Sequence, residues 1–201
     1  MTSVLASYRG YDTLGETTVI FTALVGALLL LTGNPAAWRA FVPPRPATGS
    51  SPPPEGERMD DRVILRVGAK MMIPFILLFA LYVQFHGDYG PGGGFQAAVI
   101  AATAFILYAL VFGLDAAKLV LPPGVVYVTA ALGVLIFAAV GVAALLQGGR
   151  FLEYAVLLEG SKDAQVAGIM LVELGVLVTV FGVMVAIFYV FAGRTRIQVR
   201  P

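Results

Sequence analysis

The alternation of oily and polar positions divides the chain into five long apolar runs separated by polar or proline-rich breaks. A bilayer core about 30 Å thick needs about 20 apolar residues at about 1.5 Å of helical rise each. Runs at approximately 14–32, 65–85, 94–113, 122–146 and 166–192 meet that length. None shows the two-residue alternation of a barrel strand, and unpaired backbone groups are not tolerated in lipid. The pattern predicts an all-α fold: an integral membrane helix bundle of five transmembrane helices.

The breaks set the organisation. "VPPRPATGSSPPPEGERMDD", residues 42–61, holds six prolines, a density that favours extended, solvated chain without a core of its own. We divide the chain into a lone N-terminal transmembrane helix (1–33), a Pro-rich linker (34–62), a four-helix membrane domain (63–193) and a short basic tail (194–201). No internal repeat suggests the two inverted halves of a transporter.

Composition agrees and narrows the chemistry. Charged residues make up 12% of the chain and hydrophobic ones 59%, with mean hydropathy +0.88, where soluble domains carry about 25% charged residues. A net charge of +1 gives no basic field for nucleic acid. The absence of cysteine excludes disulfides and thiolate chemistry, and one histidine makes a histidine metal site or a Ser-His-Asp triad improbable. No metal, cofactor or catalytic constellation is expected. "MTSVLASYRGYDTLGE" lacks the basic-then-apolar layout of a cleaved signal.

Five spans place the termini on opposite sides. One side has three basic residues, Arg9, Arg150 and Lys162; the other has ten, running from Arg39 through Arg66 and Lys70 to Arg200. The positive-inside rule then predicts the N-terminus outside and the C-terminus in the cytoplasm.

Four stretches could carry chemistry. "HGDYGPGGGFQ", residues 86–96, packs Gly90, Pro91, Gly92, Gly93 and Gly94 behind Asp88 and ahead of Phe95. It lacks the Gly-Lys-Ser/Thr of a phosphate loop and follows no strand. It reads as a tight turn, or as bare backbone amides that line a wet cavity beside Asp88. In "YRGYDTLGETTVIF", residues 8–21, Thr13 and Glu16 have capping-box spacing, and Asp12 and Glu16 complement a helix N-terminus.

Glu173 is a lone carboxylate about a third of the way into the last span, where ionisation is costly and the side chain faces protein or water. It is either an ion-pathway residue or a hydrogen-bonded strut. Arg62, Arg66 and Lys70 form a stripe at the start of the second span; snorkelling to lipid explains the arginines, and Lys70 is the candidate for a polar path. The loop "QGGRFLEYAVLLEGSKDAQ", residues 147–165, reads as a solvated surface segment without a site.

"GDYGPGGGFQAAVIAATAFIL" and "AGIMLVELGVLVTVFGVMVAIF" resemble the MnhB (MrpB) family, small four-helix subunits of multisubunit Mrp-type cation/proton antiporters. The resemblance covers about 63–193 and maps Gly90 to Phe95 onto the family's loop and Glu173 onto the acid of its closing helix. "YRGYDTLGETTV" resembles the tail of the large antiporter subunit, a helix that in membrane-bound hydrogenases forms a separate small subunit; Asp12, Thr13, Gly15 and Glu16 map onto that motif. The resemblance implies a subunit of a sodium/proton antiporter in a prokaryotic cytoplasmic membrane. Its implied partners are large complex I-like subunits and other small membrane subunits, with Na+ and H+ as cargo. Two rival readings are a scaffold that clamps larger subunits, and membership of a redox-driven complex such as a membrane-bound hydrogenase.

Overall fold

The structure is a computed structural model that describes residues 10–32, 63–87, 92–157 and 161–198. The proposed linker, Asp88, Gly90 and Pro91 lie outside the described residues. Five helices are long and apolar enough to cross a membrane, and among the described residues there is no strand. They are α1 (Gly10–Thr32), α2 (Val63–His86), α3 (Gly94–Phe112), α5 (Pro123–Leu146) and α6 (Ser161–Gln198). A short helix, α4 (Leu114–Val120), links α3 to α5, and a 3-10 turn spans Tyr154–Val156. The five expected spans and the all-α bundle are both present.

α6 is the central element. α5, α3, α1 and the 3-10 turn all pack on it, whereas α2 packs principally on α3 at the periphery. The α5–α6 crossing is close because small residues face each other. A Cβ at Gly175 would lie 2.8 Å from the Gly133 carbonyl oxygen, and one at Gly182 would lie 2.7 Å from the Ala130 nitrogen. Without a hydrophobic effect between helices in lipid, such backbone approach is what holds spans together.

Two apolar clusters stack along α6. The one nearer the glycine turn joins Ala98, Phe137, Val172 and Val176 to Leu152 and Tyr154. The other joins Leu24 of α1 to Ala102, Val126, Ala130 and Ala186. There the Tyr189 hydroxyl lies 3.2 Å from the Ala117 carbonyl and 3.1 Å from that of Leu121, so α6 holds the exposed end of α4.

The 147–165 loop departs from the sequence expectation of a solvated segment. Leu152 and Tyr154 are buried, Tyr154 packs against Gly168 of α6, and the Phe151 ring lies tilted against that of Tyr11 with centres 5.4 Å apart. The charges of the segment mask its three inward-facing apolar side chains. Burial pushes the Tyr154 phenol from its ordinary 10 up to about 12. A raised folded-state value means that this stability is fully present below pH 10 and lost as pH rises through 12. Thermal unfolding followed across that window is expected to show a smaller loss in Tyr154→Phe than in the native protein.

Candidate functional site

A cavity of about 300 Å³ lies near the glycine-turn end, between α1, the start of α3 and α6. α1 contributes Thr13, Glu16, Thr17 and Ile20, a one-sided helical stripe at i, i+3, i+4 and i+7. The turn and first residues of α3 contribute Gly92, Gly93, Gly94, Phe95 and Gln96. α6 contributes Val172, Glu173 and Val176. Three stretches singled out separately in the sequence therefore meet around one space.

The helix register explains the N-terminal part. α1 already runs at Gly10, so Thr13 and Glu16 stand inside the helix and not at its start. The capping-box reading is thereby replaced: Thr13 and Glu16 share a face because they are three residues apart, and that face lines the cavity. Asp12 and Gly15 fall off the stripe and are exposed. Thr17 is buried, with its hydroxyl donating to the Thr13 carbonyl at 2.7 Å, so its oxygen lone pairs remain for the cavity.

The glycine turn works by lacking side chains. Gly93 has φ 135°, a conformation L side chains rarely adopt, and its N–H donates to the Val83 carbonyl of α2 at 3.3 Å. A Cβ on Gly94 would fall on the Glu173 carbonyl oxygen, so α3 begins directly against the α6 backbone. Glu173 is thus level with the first residue of α3. Gly93, at the N-cap of α3, makes no side-chain cap hydrogen bond, and the Ala97 N–H donates to the Gly93 carbonyl at 3.0 Å. The N–H groups of Gly94, Phe95 and Gln96 have no intrahelical partner, and this end of the helix carries partial positive charge.

The polar side chains are two carboxylates, two threonines and a glutamine. Glu173 is only 9% exposed, whereas Glu16 is exposed at the α1 side. Among the described residues no group of three metal-binding side chains exists. A space of this size can hold several waters between the buried acid and the open one.

Lys70 is elsewhere. It is exposed near the start of α2, its ammonium 5.8 Å from the centre of the Phe112 ring, with the Arg66 guanidinium 5.4 Å from the same ring. The structure does not bring it to Glu173. Sequence reasoning missed Thr17 and Gln96; Thr17 was signalled by its i+4 spacing from Thr13, and Gln96 only by following the glycine turn.

The profile of MnhB, described as a domain related to the MnhB subunit of Na+/H+ antiporter, matches residues 64–186. The chain belongs to the MnhB family. Among MnhB relatives, a Na(+)/H(+) antiporter subunit of Bacillus subtilis (strain 168) is 32% identical over 98 residues, covering 49% of this chain and 68% of the relative. The antiporter subunit mnhB2 of Staphylococcus haemolyticus (strain JCSC1435) is 32% identical over 130 residues, 60% of this chain and 87% of the relative. A chain in the structure of the membrane-bound sulfane sulfur reductase, an archaeal respiratory membrane complex, is similar with TM-score 0.59 and 29% identity. That likeness covers 92% of this chain and 76% of the other, so it takes in residues outside the MnhB segment. α1, which supplies one wall of the cavity, lies outside that segment.

Proposed function

We propose that this chain is a small membrane subunit of a multisubunit Na+/H+ antiporter and that its cavity forms part of the ion pathway. The observation that carries the reading is the meeting of Glu16, the glycine turn and Glu173 around one space in an apolar bundle. Glu173 takes and releases a proton or a cation within the bundle, and Glu16 passes it to the exposed side. The chain acts in transport, within a complex of larger and smaller membrane subunits, with its N-terminus outside and its C-terminus in the cytoplasm.

Glu16→Gln tests the route. In vesicles that carry the assembled complex, Na+-dependent dissipation of a pH gradient is expected to slow on the order of tenfold or more, matching the about 1.5–3 kcal/mol of one hydrogen bond to a charged group. A wild-type rate in Glu16→Gln would remove this residue from the path, and a wild-type rate in Glu173→Gln as well would leave only the scaffold reading. A second reading, a place in a redox-driven membrane complex, is favoured by the likeness to the respiratory sulfur-reductase chain. Copurified partners that carry metal clusters would select it; the cavity's role is the same in both.

A further inference from the structure

Gln84 is a buried polar side chain for which the site above has no use. It lies near the end of α2, 9% exposed, on a face buried together with Ala80, Val83 and Gly87. Among the described residues its Oε1 has no hydrogen-bond partner. A buried amide oxygen left unpaired costs about 1–3 kcal/mol, and an ordered water or ion is one of the ways native proteins meet that cost.

The backbone beside Gln84 leads to the cavity. The adjacent residue, Val83, accepts the Gly93 N–H, and a Cβ on Gly92 would lie 2.6 Å from the Val83 carbonyl oxygen. Two residues further on, Gly94 rests on the backbone of Glu173. Residues 92–94 therefore bridge α2 and α6 without a side chain between them, and the same three residues line the cavity.

We infer that Gln84 binds water beneath the glycine turn, and that this water extends the Glu16–Glu173 cavity to α2 as a proton-conducting branch. The inference rests on the ion-pathway reading. It adds to that reading a residue and a side of the bundle.

The test uses the whole complex in vesicles. The chain has no native cysteine, so Gln84→Cys supplies its single thiol. Aminoethyl methanethiosulfonate reacts with the thiolate, which forms where water reaches. Gln84→Cys is expected to be modified at least on the order of tenfold faster than Ala80→Cys, one turn away on the same buried face. Gln84→Met keeps the shape and removes the hydrogen-bonding atoms; antiport is expected to fall on the order of tenfold with the complex fully assembled.

Labelling of Gln84→Cys as slow as that of Ala80→Cys overturns the inference. So does normal antiport in Gln84→Met, above all with a raised melting temperature, the signature of an orphan simply removed. If those results come with antiport lost in Glu173→Gln, the branch is wrong and the pathway reading stands. A labelled Gln84→Cys with normal antiport in Glu173→Gln means that the pathway reading itself has failed.

Discussion

Glu173→Gln is expected to abolish Na+-dependent proton movement while the complex assembles normally. The amide has the shape of the acid, so packing of α6 against Gly94 and α1 is kept. What disappears is the capacity to carry a charge and to release a proton. Groups that transfer protons commonly contribute on the order of 10²-fold or more to a rate, and a loss of that size is expected in vesicles. The side chain is 9% exposed, so no bulk water substitutes for it. Normal antiport in the variant would make Glu173 a hydrogen-bonded strut and the chain a scaffold. Loss of assembly together with antiport would point the same way.

Gly94→Val is expected to break the bundle. Its Cβ would clash with the Glu173 carbonyl oxygen and lie 3.2 Å from the Leu177 nitrogen, and neither backbone atom can turn aside like a flexible side chain. α3 and α6 must separate, which costs about 3 kcal/mol or more at the upper end of overpacking effects. The amount of folded chain in membranes and the melting temperature of the purified complex measure the loss. Gly15→Ala provides the contrast. This glycine belongs to the N-terminal motif, yet nothing lies within 4 Å of the position its Cβ would take. The substitution is expected to leave stability unchanged or to raise it by up to about 1 kcal/mol through helix propensity. A stable Gly94→Val protein with normal antiport would show that the close approach of α3 to α6 is dispensable.

The spans are legible in the sequence because lipid imposes a length and an apolar composition that few other structures share. α4 is not, since seven residues between two spans carry no period long enough to register. Leu152 and Tyr154 are hidden by the charged residues around them. Glu16, the glycine turn and Glu173 each stand out alone, through a carboxylate near or within a span or a run of glycines. Their convergence is not readable. Periodicity tells which residues share a face of one helix, but not which neighbour that face meets. Sequence alone sets Glu173 about a third of the way into an apolar run at 166–192; its contact with the first residue of α3 fixes its level.

The third wall of the cavity comes from a helix that the family segment does not include, and the two are carried on one polypeptide. Covalent connection makes their supply strictly one to one. It also turns an encounter between separate molecules into an internal event. Severed between residues 33 and 62 and produced as two fragments, the same parts would have to find each other in the plane of the membrane. Transport would then rise and fall with how much of each fragment the cell makes.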